Sequence, residues 1–512
     1  MDAVLLQKLI SHRKRHGKTR SPGEFNVLAR IGQAFSGAAA ITPFPVEEVV
    51  VREIDGVQMP TYVTWLTTAC AITLITHPAT VLPCGRGPAS TPFGLQIVGG
   101  DRADTDTLAV AAAIETAPAD DDAFNHPRPG PALSLPPSPR PTDWGDLTVK
   151  IKDVRVSVHR IPAALPLIDR RADSVRVVCE VETDQGHVGV GMAARFLCHG
   201  VAAVIRHHIA PAVLGTDPRD LEAIHAKLKP IVSERGQMTG INLAALSCVD
   251  LALWDIIGQA SERTVAALLG GHKKAVDVYV TFGFGAYDKE QLVDVARGLI
   301  AKGHSRLKML VGVAANGVAG DVERVRHVRN AIGDDVQLAV DANESVSLDY
   351  AAALARRIED CNIAWFEDPV VRNDPSDLAI LRRHTSIPLS AGQMDGHSSR
   401  FRTWLEHGAL DIFMPNSMYN GGMTETRKVA HLADIYNRPL SDAGGGGIYC
   451  LHHVAGFHHG TLAEWHLGVE QVERAIFVDP PVPERGRLRV PKSPGFGVAI
   501  NKDVLRETLI TA

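Results

Sequence analysis

The chain has 512 residues, 45% of them hydrophobic and 22% charged, with a net charge of −5. It is globular in composition and too long for one ordinary domain; near-balanced charge gives no argument for a nucleic-acid or anionic-membrane partner. Seven scattered cysteines without CxxC spacing fit reduced thiols better than disulfides or zinc, Met1–Arg20 has no signal-peptide core, and no run approaches the ~20 apolar residues of a membrane span, so a cytoplasmic protein is expected.

Residues 1–117 read as a small α/β segment. Within it, residues 61–115 resemble the C-terminal end of the amidase signature family. The stretches that carry the resemblance are Thr73-Leu-Ile-Thr-His-Pro-Ala-Thr-Val-Leu-Pro-Cys-Gly85, Pro92-Phe-Gly-Leu-Gln-Ile-Val-Gly99 and an apolar helix from Asp106 to Ile114. That family's catalytic serines and lysine lie in an upstream glycine- and serine-rich core without a counterpart here. The resemblance therefore implies a truncated, fused remnant without amide chemistry. Residues 118–147 are dense in proline, which lacks an amide donor and favours extended chain, so they read as a linker.

From residue 148 the character changes. Val149–Val158, Val175–Glu182 and Val188–Gly191 read as strands, with a turn at Asp184-Gln-Gly186. Helical patterns follow at 201–214 and 220–233, then a helix at 243–258 that is apolar almost all round and therefore buried. Residues 148–272 thus predict an α+β domain, ended by the glycine stop at Gly270-Gly271. Beyond it, strand candidates at 277–282, 306–311, 336–340, 363–366, 387–390, 411–414 and 438–441 alternate with helices, and Glu464-Trp465 falls on an eighth. This alternation predicts a parallel (β/α) barrel over residues 273–512.

Asp341, Glu367 and Gln393 stand 26 residues apart, each after a short apolar run, and Asp395 follows two places on. A β/α unit takes about 25 residues, so these side chains should meet at the C-terminal ends of neighbouring barrel strands, where such folds do chemistry. Oxygen donors converging there suit Mg2+.

Residues 149 to about 500 resemble the enolase superfamily in its mandelate racemase/muconate lactonizing branch. The resemblance rests on Ser247–Ile256 with its Leu-Leu-Gly-Gly271 ending, Val-Asp-Ala-Asn343, Phe-Glu-Asp-Pro369 and Asn420-Gly-Gly-Met-Thr-Glu425. It implies a modified TIM barrel under an α+β capping domain, and Mg2+-assisted removal of the proton α to a carboxylate. Such a proton is very weakly acidic, because ionisation adds charge beside an existing one, and a chelating cation offsets that.

The resemblance assigns Asp341 and Glu367 as metal ligands, with Gln393 or Asp395 third. An amide brings no charge to the ion, and Gly392-Gln-Met-Asp395 resembles a variant with the acid two places on, so Asp395 is preferred; an acid just ahead of a helix is also an ordinary N-cap. The usual Lys-x-Lys appears as Lys308-Met-Leu310, leaving one lysine. Where an aspartate and a histidine are usual, Asn416 and Asp442 stand. Two-base racemisation is thereby disfavoured, and dehydration of an aldonic or aldaric acid is expected, with Lys308 or Asp442 taking the proton. An epimerase or cycloisomerase, or a degenerate barrel that only binds metal or ligand, are the alternatives. His452, or His453 beside it, is a candidate substitute acid; Asn343, Arg170 and Glu464 are candidate substrate contacts. The glycine-rich Asp442–Ile448 lacks Walker spacing and reads as a flexible site loop rather than a phosphate cradle. His452, His453, His458 and His459 read as surface or helix-face histidines before they read as a metal site. The expected partner is a small carboxylate, and a homo-oligomer is expected from the resemblance alone.

Overall fold

The computed structural model describes residues 149–168, 171–232 and 240–511, together with four strands farther upstream. The chain divides into two units, Met1–Gly145 and Asp146–Ala512. In the first, β1 (Glu53–Ile54) pairs antiparallel with β2 (Val57–Gln58), and β3 (Ala79–Arg86) with β4 (Pro92–Val98). The helix expected at 106–114 and the proline-rich stretch 118–147 lie outside the described residues.

The second unit opens with an antiparallel sheet of β5 (Ile151–Ala164), β6 (Arg171–Thr183) and β7 (Val188–Ala194). Gly186, at φ 84°, makes the turn between the last two, a conformation glycine adopts without a Cβ penalty. The helix Leu221–Val232 and the 21-residue helix Gly240–Ala260 follow. The long helix corrects one expectation, since it has the length and apolarity of a membrane span. It is instead packed inside the unit, against β6 and β7. Its two buried acids are satisfied there: Asp255 accepts from the amides of Phe496 (2.8 Å) and Val190 (3.1 Å), and Asp250 from the Thr424 amide (3.1 Å) and His225 Nε2 (2.7 Å). Buried carboxylates need such partners.

A parallel sheet then curls round on itself. Its strands are β8 (Ala275–Phe282), β9 (Arg306–Leu310), β10 (Gln337–Asp341), β11 (Ile363–Glu367), β12 (Leu389–Ala391), β13 (Ile412–Phe413) and β14 (Leu462–His466), with β14 paired back onto β8. The seventh position is reduced to single bridges at Leu440, which pairs with Phe413 on one side and Gly460 on the other. The expected barrel is therefore present, with strand ends one or two residues from those read in the sequence. Beyond β15 (Phe477–Val478), β16 (Arg487–Arg489) lies antiparallel beside the start of β8, and β17 (Ala499–Ile500) pairs with β15. The chain finishes in β18 (Leu509–Thr511), antiparallel to β5. Cys179, Cys198, Cys248, Cys361 and Cys450 are free and buried.

Candidate active site

Register decides which side chains share the barrel mouth. Asp341 and Glu367 are the last residues of β10 and β11 and lie directly opposite one another. Lys308 pairs with Ala339, two residues deeper, and its long side chain rises from that layer. Beneath the acids, Tyr279, Ala339, Trp365 and Met414 form an apolar floor. The lysine ammonium stands 5.1 Å from the centre of the Tyr279 ring. It pairs with Asp341 at 3.0 Å, with Glu464 at 3.1 Å and, most closely, with Glu367.

Burial alone would favour neutral lysine, but Asp341, Glu367 and Glu464 outweigh it and hold Lys308 well above its ordinary value. Burial also pushes the Glu367 carboxyl up to about 8, against the pull of Lys308, with Asp341 and Glu464 adding to the rise. Glu464 moves the other way, to about 2: burial is overcome by Lys308 and by hydrogen bonds from Thr281 Oγ1 and the Gly445 amide. Asp368 is pushed well up by burial and then by Asp341 and Asp395, and Asp395 reaches about 8 through burial and Glu344. The acids thus outnumber the cations around them, and one oxygen from each of Asp341, Glu367 and Asp368 lies within 4.8 Å of the other two. Hard oxygen donors with surplus negative charge are what a divalent cation of the Mg2+ type requires, so these residues fit one.

Asp368 is the acid that sequence reasoning missed. Strand alternation would turn it away from Glu367, its neighbour. β11 ends at Glu367, however, and Asp368 takes φ 42°, a left-handed turn that brings both carboxylates to one place. The paired acids of Glu-Asp-Pro369 were the available signal. Of the two proposed third ligands, Asp395 lies beside this group: Asn373 Nδ2 donates to both Asp368 (2.9 Å) and Asp395 (3.0 Å), and Arg400 stands 3.8 Å from Asp395. Gln393 is buried under the 443–447 loop, where a Cβ on Gly444 would overlap its side chain.

Asp442 follows the Leu440 bridge and is fully buried. Its Oδ1 accepts the Glu464 amide at 2.5 Å, and its Oδ2 has no hydrogen-bond partner. Burial, then Glu464, pushes this carboxyl well up. Asn416 donates to the Ala443 carbonyl (2.7 Å) and accepts the Met418 amide (2.9 Å), so it fixes the loop that carries Asp442. That loop is not the open, flexible one expected from its glycines. Residues 443–446 are buried, and Gly444, Gly445 and Gly447 have positive φ with side chains packed where a Cβ would go.

Two other assignments change with the structure. His452 is spent elsewhere: its Nδ1 accepts the Ala266 amide (2.9 Å) and its Nε2 faces the Phe496 carbonyl (3.1 Å). Burial pushes it down to about 4, so this ring is a neutral strut between elements rather than a site acid. Glu464 is locked onto Lys308, Thr281 and Gly445, and acts on the lysine rather than projecting towards a ligand. Asn343 is exposed at the rim, its amide donating to Asp341 Oδ1 at 2.8 Å. Arg170 lies outside the described residues.

Comparison with known proteins bears on this geometry. Residues 147–270 match the mandelate racemase/muconate lactonizing enzyme N-terminal domain, and residues 291–504 the enolase C-terminal domain-like family. An arabinonate dehydratase of Saccharolobus solfataricus is 31% identical over 343 residues, 65% of this chain and 90% of that protein. A D-galactarolactone cycloisomerase of Agrobacterium fabrum is 31% identical over 386 residues, 70% of this chain and 98% of its own length. Among solved structures, a racemase from Streptomyces coelicolor A3(2) with bound magnesium superposes with a TM-score of 0.65 at 27% identity, covering 70% of this chain and all of that one.

Proposed function

Because the chain belongs to the mandelate racemase/muconate lactonizing enzyme family of the enolase superfamily, we propose that it binds Mg2+ and removes the proton α to a carboxylate, dehydrating an acid sugar to a 2-keto-3-deoxy acid. The observation that carries this reading is the buried group of Asp341, Glu367 and Asp368, the first two of which also pair with the Lys308 ammonium. Asp341, Glu367 and Asp368 would hold the ion, with Asp395 adjoining through Asn373. Bound there, Mg2+ would offset the charge that develops on the substrate carboxylate.

Lys308, whose ammonium pairs with Asp341, Glu367 and Glu464, attracts the substrate carboxylate. Asp442 serves as the base: its Oδ2 has no hydrogen-bond partner, and burial with Glu464 nearby raises its carboxyl, so that in its ionised form it is a stronger base than an ordinary carboxylate. It accepts the C2 proton; the C3–O bond then breaks and the hydroxyl departs with that proton as water. The resulting enol tautomerises to the 2-keto acid. One group thus performs both transfers, consistent with a mouth that has Leu310 and Asn416 where the family usually has a lysine and an aspartate. The similarity to a cycloisomerase supports a second reading in which the same proton removal opens a different outcome. Residues 61–115 are proposed to contribute no hydrolysis, for want of a serine and lysine core.

The test is proton NMR in D2O with Mg2+ and pooled aldonic and aldaric acids. Loss of an α-proton signal with a 2-keto-3-deoxy product is expected, and Asp442→Asn should slow both by about 10²–10⁴-fold while leaving thermal stability nearly unchanged. Absence of exchange across a broad pool, in protein shown to bind Mg2+, would leave a ligand-binding barrel without turnover.

A further inference from the structure

The acid group occupies the C-terminal ends of the barrel strands, and a second constellation lies at the opposite end. Phe457 terminates the helix Gly447–Gly456, and His458 and His459 follow it before β14 begins. The His459 carbonyl accepts the Leu440 amide (3.2 Å), which fixes this turn to the start of the seventh strand position. Asp434 stands in the last turn of the helix Met423–Ile435, next to that turn. His458 Nε2 is 3.2 Å from Asp434 Oδ1, and His459 Nδ1 is 4.0 Å from the same oxygen. One donor atom from each of the three residues lies within 4.8 Å of the other two.

We propose that Asp434, His458 and His459 form a binding site for a divalent transition-metal ion, Zn2+ in the first instance, separate from the Mg2+ site. Two imidazoles and a carboxylate are borderline donors that suit Zn2+, Ni2+ or Cu2+, whereas the barrel mouth offers oxygen alone. His459 supplies the second observation. Its side chain is only 12% exposed, yet neither ring nitrogen makes a well-formed hydrogen bond, although the Ala430 carbonyl is close enough to act on the ring. Neither nitrogen is committed to a close hydrogen bond, so the ring is free to offer one to an ion. His458 and Asp434 are largely exposed, at 66% and 46%, so they can rotate by the ångström or so needed to bring donors to the roughly 2.0–2.2 Å of zinc bonds. His272 lies edge-on to His458, ring centres 6.5 Å apart, and can supply a fourth ligand in place of water.

Zn2+ titrated against a competing chromophoric chelator, into the full chain in excess Mg2+, tests this directly. We expect about one tightly held equivalent that is lost, or weakened at least tenfold, in Asp434→Asn and in His459→Asn. His384→Asn, at an exposed histidine elsewhere, should bind as the parent does. Cu2+ in the same site should show nitrogen hyperfine structure in its electron paramagnetic resonance spectrum, reduced in His458→Asn. Thermal unfolding without Zn2+ checks that the variants are folded. Absence of tight binding, or affinity and stoichiometry unchanged in folded Asp434→Asn and His459→Asn, overturns the proposal.

Discussion

The charge balance at the barrel mouth turns on single residues. Glu367 and Asp395 carry raised carboxyl pKa values of about 8, against reference values of 4.5 and 3.8. Between those reference values and 8, the folded metal-free protein binds more protons than the unfolded chain. The contribution of these two groups to stability is therefore fullest below the reference values and falls as pH rises towards 8. Mg2+ must displace those protons, so its affinity should rise with pH up to about 8. Calorimetry at pH 7 in buffers of different ionisation enthalpy should show proton release on binding, and equal heats in all buffers would contradict the assignment. Lys308 gives a complementary test. Replacing it with Met leaves Asp341, Glu367 and Glu464 without their cation and should destabilise the metal-free protein by about 3 kcal/mol. Added Mg2+ should then raise the melting temperature of Lys308→Met more than that of the parent.

Among these residues, Asp341 and Glu367 were legible because a strand-end position follows from local apolar runs and regular spacing. Asp368 was not, because its direction depends on one left-handed φ. The charge states of Lys308 and Glu464 were equally hidden, since they arise from neighbours 156 residues apart that meet only in space.

At the scale of elements, β7 and the long helix Gly240–Ala260 approach unusually closely. Gly189 and Gly191 share one face of β7, two residues apart, and Ala252 and Cys248 share one face of the helix, four apart. A Cβ on Gly189 would overlap the Ala252 carbonyl, and one on Gly191 the Cys248 carbonyl. The two periods match, so the backbones mesh where side chains would hold them apart. Gly191→Ala should cost about 1–3 kcal/mol, visible as a lower urea midpoint. An unchanged midpoint would mean that the helix can shift without loss. Val188-Gly-Val-Gly191 was recognisable as a strand from its alternation, but nothing local marks its glycines as a contact surface. The glycine loop at 443–447 shows the converse: its composition suggests mobility, whereas packing of Gln393, Val469 and Glu473 side chains against it makes it rigid and buried.

At the scale of the whole molecule, the chain closes on itself: β18 pairs with β5 more than 300 residues earlier in sequence, after the barrel is complete. β5 would otherwise present an open edge. Ending the chain after Ile500 should therefore lower the melting temperature by several degrees and promote self-association, as light scattering would show. A truncated chain that melts like the parent and stays dispersed would show that the closing strand is dispensable. The sequence by itself determined the succession of sheet, apolar helix and repeated β/α units, and with it the level at which Asp341 and Glu367 stand. Those features are periodic and local, set by alternation and by the length of one β/α unit. Only the tertiary structure decided which acids converge, that Lys308 is a trapped cation, and that His452 is a strut. Those outcomes depend on backbone turns at single residues and on charges brought together in a low-dielectric interior, where separation along the chain carries no information.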